Sequence, residues 1–242
     1  MIYLYRIYQL LIAAPLLLVL TVVCALITSL GCYLGLGRWF GYWPAHFWAR
    51  CFCWLSLVRV TVRGRENIDP ETSYVFVANH QGAYDIFSIF GFLNHNFRWM
   101  MKKSLRNIPL VGFSCMMAGH IFVDNSTPSA TRKTMRDAER QLSGGMSVVV
   151  FPEGSRTPDG HLKRFKRGAF ALAMEFGLPV VPVTIDGAYD VLPRFGRRIP
   201  NYGHIILTIH APIHAGADGH CLEDLMAQSH AAIASALPEA NR

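Results

Sequence analysis

A run of thirty-one residues without a formal charge lies between Arg6 and Arg38, and it includes the apolar stretch 16–30. About 20 apolar residues suffice to cross the hydrocarbon core of a bilayer, so this segment is long enough to span or enter a membrane. A secretory signal has an apolar region of only about 7–15 residues. A lipoprotein cleavage site is represented only in part, by Leu30-Gly31-Cys32. The sequence therefore predicts a retained N-terminal membrane anchor.

Aromatic residues are concentrated directly after this segment. Tryptophan favours the headgroup layer of a membrane, where its ring lies in apolar surroundings and its N–H stays hydrated. Four of the five tryptophans fall here, at Trp39, Trp43, Trp48 and Trp54. Pro44 and Arg50 argue against a second full crossing. We interpret the segment as a helix lying along the membrane surface, with a buried aromatic core helix as the alternative.

The charge of the chain favours anionic partners. The formal net charge is +7, and five arginines within 38–65 follow the anchor, against the single Arg6 before it. Because positive loops stay on the cytoplasmic side, we expect the catalytic part at the cytoplasmic face of the cell (inner) membrane. Positive charge suits anionic lipids, phosphate-bearing substrates and acidic carriers. The sequence contains no nucleic-acid-binding motif, so nucleic acid is not an expected partner.

From residue 58 the sequence alternates between short strands and helices. Strands are predicted at 58–62, 74–78, 98–101, 121–123, 147–151, 180–185 and 205–209, and helices at 85–93, 108–118, 129–142, 167–176 and 222–237. Such alternation indicates an α/β fold. We therefore expect a membrane anchor with an interfacial helix over 1–57, and one catalytic domain over 58–242. The six cysteines form no C-x-x-C pair, and no metal site is predicted.

The segment 79–85, with the sequence N-H-Q-G-A-Y-D, follows a predicted strand and precedes a predicted helix. A bend at Gly82 would bring the imidazole of His80 to the carboxylate of Asp85. Such a carboxylate fixes the tautomer of the imidazole, and the other ring nitrogen can then take a proton from an alcohol. General-base help of this kind contributes about 10²–10⁴-fold to a rate. On spacing alone, a structural role for the pair stays open.

The segment 151–157, with the sequence F-P-E-G-S-R-T, places a carboxylate, two hydroxyls and a guanidinium in a turn after a buried strand. Arginine binds phosphate through its planar fork, and turn amides can add further donors. A tight hairpin with a surface ion pair is the alternative interpretation. The pattern indicates a second part of the same candidate site.

Four segments together resemble the glycerolipid acyltransferase family. They are N-H-x-x-x-x-D at 79–85, Lys102-Lys103-Ser104-Leu105 with Pro109 and Gly112, F-P-E-G-S-R-T at 151–157, and V-V-P-V at 180–183. The resemblance covers about residues 64–185, with the segments in the family's order. Within the family, the chain is most similar to the 1-acylglycerol-3-phosphate (lysophosphatidic acid) acyltransferases.

The resemblance implies a mixed sheet flanked by helices, as in glycerol-3-phosphate acyltransferase, and a direct acyl transfer. His80 would deprotonate the sn-2 hydroxyl of lysophosphatidate, with Asp85 orienting the imidazole. The acyl donor would be acyl-CoA or acyl carrier protein, the product phosphatidate, and no cofactor, metal or acyl-enzyme is implied. The substrate-binding residues implied are Asn79, Lys102, Lys103, Glu153, Gly154, Ser155, Arg156 and Thr157. Among them, Arg156 and a lysine would hold the phosphate, and Glu153 would hold the glycerol hydroxyls or brace the turn.

The chain departs from the family pattern at Asn125, where the family usually has arginine. A neutral amide lacks the charge-assisted hydrogen bond to phosphate, which is worth about 1.5–3 kcal/mol. Either Arg132 or a lysine replaces that contact, or the acceptor is a lyso-amino-lipid or another lysophospholipid.

Two further function classes stay open. A membrane esterase would need a nucleophile, and the sequence has no G-x-S-x-G elbow. A non-catalytic membrane adaptor would keep the anchor without needing His80.

Overall fold

The computed structural model describes residues 2–124, 126–143, 145–196, 199–214 and 221–242, and it begins with a long apolar helix. This helix comprises α1 (Ile2–Tyr8), a π-helical stretch (Gln9–Ala13) and α2 (Ala14–Tyr33). Most of its large apolar side chains are exposed. Of the helices in the described residues, this one is long and apolar enough to cross a membrane. The predicted apolar anchor segment is therefore a helix.

Both ends of this helix are bonded to the rest of the chain. Near its start, Arg6 donates from Nη1 to the carbonyl of Pro200 at 2.6 Å and from Nη2 to Oδ1 of Asn201 at 2.5 Å. Just beyond its end, the carbonyl of Gly37 accepts a hydrogen bond from Nη2 of Arg98 at 2.9 Å. The helix is thus fixed to the body of the molecule at two separated points.

The aromatic segment forms α3 (Gly37–Phe40) and α4 (Trp43–Leu55). One face of α4 is buried against the following domain, whereas the Trp43, Phe47 and Trp54 rings are exposed. Trp48 lies between these faces and donates from Nε1 to Oγ1 of Thr21 at 2.9 Å. The amphipathic character of α4 suits a membrane surface. Its location there stays a prediction.

Seven strands form one mixed sheet. They are β1 (Val58–Arg63), β2 (Val75–Ala78), β3 (Phe97–Lys102), β4 (Ile121–Val123), β5 (Ser147–Val150), β6 (Val180–Asp186) and β7 (Gly203–Ile209). Their order is β1-β7-β6-β2-β5-β3-β4, and all neighbours are parallel except β6 and β7. The mixed sheet expected from the resemblance is confirmed.

Helices cover both faces of this sheet. Besides α4, the later helices of the chain are α5 (Tyr84–Phe92), α6 (Val111–Met117), α7 (Pro128–Ser143), α8 (Gly168–Glu175), α9 (Ala188–Val191) and α10 (Leu222–Ser235), of which α6 packs on α2 rather than on the sheet. The central strand β2 shows the result: Phe76 and Ala78 lie in the core beneath α4 and α5, whereas Val75 and Val77 lie in the core beneath α8 and α10. A strand buried on both faces is continuously apolar, as the sequence of β2 is.

The predicted helix at 108–118 was wrong at its start. Leu110 has a φ of 62°, a conformation that a helix cannot include, so α6 begins only at Val111. Before it, a 3₁₀ helix that the pattern did not reveal spans Lys103–Asn107. The division at residue 57 stays a prediction, although α2 contacts both α4 and α6.

Arg98 joins the sheet to the segment that follows the anchor helix. It is buried on β3, and besides Gly37 its guanidinium donates to Oδ1 of Asn96 and the carbonyl of Phe97, both at 3.0 Å. Burial lowers the pKa of Arg98 to about 10. Hydrogen bonds to these three oxygens offset part of the cost of burying this charge.

We expect Arg98→Met to lower the free energy of unfolding by about 1–3 kcal/mol, because it leaves these oxygens without their donor. The matched control is Arg59→Met, at an exposed position on β1. Urea denaturation in mild detergent, followed by tryptophan fluorescence, measures both variants. Equal destabilisation by the two substitutions would contradict this role for Arg98.

Candidate active site

The two motif segments meet because their strands are parallel neighbours. β2 pairs with β5 so that Val77 lies opposite Val150. Residues 79–85 and 151–157 leave these strands at the same edge of the sheet. The carboxyl edge of a parallel sheet is the usual location of a ligand site in α/β folds.

His80 and Asp85 form the hydrogen bond that the motif predicts. Nδ1 of His80 lies 2.7 Å from Oδ2 of Asp85, whose side chain is 0% exposed, against 14% for His80. The backbone N–H of Gly82 donates to the same oxygen at 2.9 Å. When Nδ1 carries the proton that bonds this carboxylate, the neutral imidazole has its lone pair on Nε2.

The bend requires glycine at position 82, because a side chain there would collide with neighbouring backbone atoms. A Cβ at Gly82 would lie 2.5 Å from the carbonyl oxygen of Ala188 and 2.7 Å from that of Leu192. Both contacts are with backbone atoms, which cannot rotate away. The bend therefore depends on close packing against the α9 region.

The imidazole ring is also held by stacking. The rings of His80 and Phe151 are 3.9 Å apart and within 6° of parallel, and Phe151 in turn stacks on Trp99 at 5.3 Å. The sequence placed Phe151 at the start of the F-P-E-G-S-R-T segment but assigned it no role. No local pattern indicated its contact with His80, because the two residues follow different strands.

The 151–157 turn holds the backbone of His80 on both sides. Oε1 of Glu153 accepts a hydrogen bond from the His80 N–H at 2.8 Å. The Thr157 N–H donates to the His80 carbonyl, also at 2.8 Å. Gly154 has a φ of 77°, so it supplies the left-handed residue that the turn needs. Glu153 and Thr157 thus contact the catalytic candidate directly.

Asn79 connects β2 to β6. Its Nδ2 donates to the carbonyl of Ile185 at 2.8 Å, and its Oδ1 accepts from the N–H of the same residue at 2.7 Å. Because the side chain is buried and bonded at both ends, it lies against the sheet rather than towards open solvent.

The predicted cationic residues differ in their surroundings. Lys103 Nζ forms an ion pair with Asp124 at 2.6 Å, and Lys102 is exposed at the end of β3. Arg156 is partly exposed on the turn, and no carboxylate in the described ranges pairs with its guanidinium. Asn125 lies outside the described residues.

Lys163 stabilises the turn, a role that the sequence did not reveal. Its Nζ donates to the carbonyl of Ser155 at 2.6 Å and to the Oγ of Ser155 at 2.9 Å. It also lies 3.9 Å from Oε2 of Glu153. Spacing gave no signal for this contact, because the segment between the turn and Lys163 is irregular.

A family model described as "Acyltransferase" matches residues 59–186, which is more than half of the chain. The chain belongs to the acyltransferase family.

Several curated relatives of this acyltransferase family member are about a third identical to it over the residues that align. The chloroplastic 1-acyl-sn-glycerol-3-phosphate acyltransferase LPAT1 of Arabidopsis thaliana is 33% identical over 74% of the chain and 51% of its own length. An enzyme of the same description from Chlamydomonas reinhardtii is 31% identical over 96% of the chain and 68% of its own length. The chain thus spans about half the length of the Arabidopsis relative.

A solved structure shares the fold. The crystal structure of the 1-acyl-sn-glycerophosphate (LPA) acyltransferase PlsC from Thermotoga maritima superposes with a TM-score of 0.71 and 28% identity. The match covers 89% of this chain and 92% of that one. The mixed sheet with its flanking helices is therefore the fold of a known acyltransferase.

Glu153 has an unusual protonation equilibrium. Burial raises its pKa from 4.5 to about 7, a shift that the His80 N–H and the charge of Lys163 oppose only in part. The folded protein therefore keeps a proton on Glu153 between about pH 4.5 and 7, whereas the unfolded chain has lost it. The resulting stabilisation is full below pH 4.5 and is lost as the pH rises through 7.

We expect Glu153→Gln to remove this pH dependence while keeping an oxygen acceptor for the His80 N–H. Relative to the variant, the wild-type protein should lose about 3 kcal/mol of stability between pH 4.5 and 8. Urea denaturation at both pH values measures the difference, and other titrating groups cancel in the comparison. Glu66→Gln, at an exposed position, is the control and should retain the wild-type dependence. Parallel pH profiles for wild type and Glu153→Gln would show that this carboxyl has an ordinary pKa.

Proposed function

We propose that the protein transfers a fatty acyl group from a thioester to the sn-2 hydroxyl of 1-acylglycerol-3-phosphate, giving phosphatidate for phospholipid synthesis. The observation that carries this proposal is the hydrogen bond from His80 to the buried Asp85, which leaves Nε2 of a partly exposed imidazole free. The names of the relatives support the same acceptor.

In the proposed reaction, Nε2 of His80 takes the proton of the lipid hydroxyl as its oxygen attacks the thioester carbonyl. The tetrahedral intermediate then collapses, the C–S bond breaks, and the leaving sulfur receives the proton from the imidazolium. Asp85 stabilises that imidazolium throughout and stays ionised. The carbonyl carbon passes directly from sulfur to oxygen, so no acyl-enzyme forms.

We assign the remaining site residues from their contacts. Asn79, Glu153 and Thr157 position the His80 loop, because their polar atoms bond to backbone groups of the loop or of β6. The guanidinium of Arg156 is free to bind the acceptor phosphate through two parallel hydrogen bonds. Lys102 and Lys103, at the end of β3, would add positive charge to this region.

The exposed Gly154 and Ser155 on the same turn would lie beside the glycerol backbone of the acceptor. The N-terminal helix would keep the site at the cell (inner) membrane, with the catalytic part on the cytoplasmic side. Either acyl-CoA or acyl carrier protein would supply the thioester.

The test is product formation by the purified full-length protein. Labelled acyl-CoA or acyl carrier protein is supplied with lysophosphatidate, lysophosphatidylethanolamine or a lyso-amino-lipid, and the lipids are separated. Labelled phosphatidate is the expected product. Label in the amino-lipid alone would show that the acceptor is the lyso-amino-lipid and not lysophosphatidate. Label trapped on the protein would indicate an esterase-type mechanism.

We expect Asp85→Asn to lower kcat by about 10²–10⁴-fold with little change in KM, because a neutral amide cannot stabilise the imidazolium. The amide oxygen can still accept from Gly82, so the bend should persist. The control is Asp69→Asn, at an exposed position that precedes β2 in the sequence. Steady-state kinetics measure both effects. A wild-type kcat in Asp85→Asn, or full activity in His80→Ala, would contradict the role of His80 as general base.

A further inference from the structure

The loop between α9 and β7 exposes large apolar side chains. Within its described parts, 193–196 and 199–202, the side chains of Phe195, Ile199 and Tyr202 have exposed fractions of 60%, 51% and 62%. A single exposed apolar side chain is ordinary on a protein surface, whereas a group of them marks a contact with a partner or a membrane. Because these three belong to one short loop, the loop is a candidate contact surface.

One side of this loop is fixed to the start of the N-terminal helix. The carbonyl of Pro200 accepts hydrogen bonds from Nη1 of Arg6 at 2.6 Å and from Nε2 of Gln9 at 2.9 Å. The ring of Tyr202 meets that of Tyr5 edge-on, with the ring centroids 5.5 Å apart. The exposed Tyr202 therefore lies beside the first turns of a helix that is long and apolar enough to cross a membrane.

The other side of the loop contacts the candidate active site. Pro193 forms an antiparallel bridge with Gly82, at the bend between His80 and Asp85. Nη1 of Arg194 donates to the carbonyl of Arg156 at 3.2 Å. The loop thus touches both motif segments of the site and connects them to the N-terminal helix.

The surroundings of the loop favour lipid over protein as its partner. A protein bound to the loop would leave the adjoining apolar helix exposed, whereas a lipid layer covers the loop and the helix together. The exposed guanidinium of Arg194 lies over the ring of Phe195, 4.9 Å from its centroid. Aromatic and aliphatic side chains beside arginine are typical of a surface that lies among lipid headgroups, where the cation meets phosphate.

We propose that Phe195, Ile199 and Tyr202 insert into the surface of a lipid layer beside the N-terminal helix, with Arg194 at the headgroup phosphates. Because the base of the loop touches both motif segments, this contact keeps the site close to the lipid that contains the acceptor. The inference rests on the proposed acyl transfer to a membrane lipid, and it adds a lipid contact outside the N-terminal segment.

The first experiment measures the contact directly and needs no catalysis. The photoreactive amino acid benzoylphenylalanine replaces Phe195 in the full-length protein, which is reconstituted into vesicles of phosphatidylcholine and phosphatidylglycerol. After irradiation, mass spectrometry should find lipid joined to position 195. The control carries the same group in place of Met174, exposed on α8 at the opposite face of the sheet, and should give no lipid adduct.

The second experiment measures what the contact contributes to the reaction. With lysophosphatidate embedded in the same vesicles, Phe195→Ser/Ile199→Ser should need about a tenfold higher mole fraction of acceptor for the half-maximal rate. With a short-chain lysophosphatidate dissolved as monomers, the variant and the wild-type protein should react alike, because a distorted site would slow both reactions. Phe195→Trp/Ile199→Leu keeps apolar side chains and should match wild type in both assays, as should Met174→Ser.

Several results would overturn the assignment. They are no lipid adduct at position 195, equal adducts at positions 195 and 174, adducts to a second copy of the protein in place of lipid, or an equal loss of activity on embedded and dissolved acceptor. The proposed reaction fails separately. Lipid adducts at position 195 without ester formation would keep the lipid contact and remove the reaction, whereas phosphatidate formation without such adducts would do the reverse.

Discussion

The arrangement of the candidate site depends on one carboxylate that is fully removed from solvent. Burying an ionised group is costly unless hydrogen bonds replace its water. Oδ2 of Asp85 receives two, from the imidazole of His80 and from the amide of Gly82. The loop must therefore bend to supply both donors, and the position of the imidazole and the burial of the acid stabilise each other.

Neighbouring strands strengthen this local arrangement. The parallel register of β2 and β5 brings the carboxyl of Glu153, the amide of Thr157 and the ring of Phe151 to different sides of His80. The loop is thus held through its backbone and its ring at once. A site built on adjacent strand ends keeps its geometry as long as the sheet keeps its register.

Local sequence patterns were sufficient to predict the seven strands, the approximate extents of the longer helices and the His80–Asp85 contact. These features depend on hydrophobic periodicity, on Gly and Pro positions and on residues only five apart. The left-handed Leu110, which delays α6, was not predictable because leucine rarely adopts that conformation.

The roles of Phe151, Lys163 and Asn79 were hidden for a different reason. Each depends on a partner brought close by tertiary structure: His80 for Phe151, the 151–157 turn for Lys163, and Ile185, 106 positions away, for Asn79. Nothing in the neighbouring residues encodes such a partner. The resemblance identified which residues belong to the site, but it did not distinguish side chains that face a substrate from those that support the loop.

The attachment of the N-terminal helix at Arg6 and near Gly37 makes the apolar segment and the sheet a single mechanical unit. If this helix enters a bilayer, its depth there would determine the height of His80 relative to the bilayer surface. A lysophospholipid differs from other alcohols in that its hydroxyl is confined to a narrow layer by its own acyl chain. The protein would then select among alcohols first by the depth of the hydroxyl in the lipid layer, before any side chain contacts the headgroup.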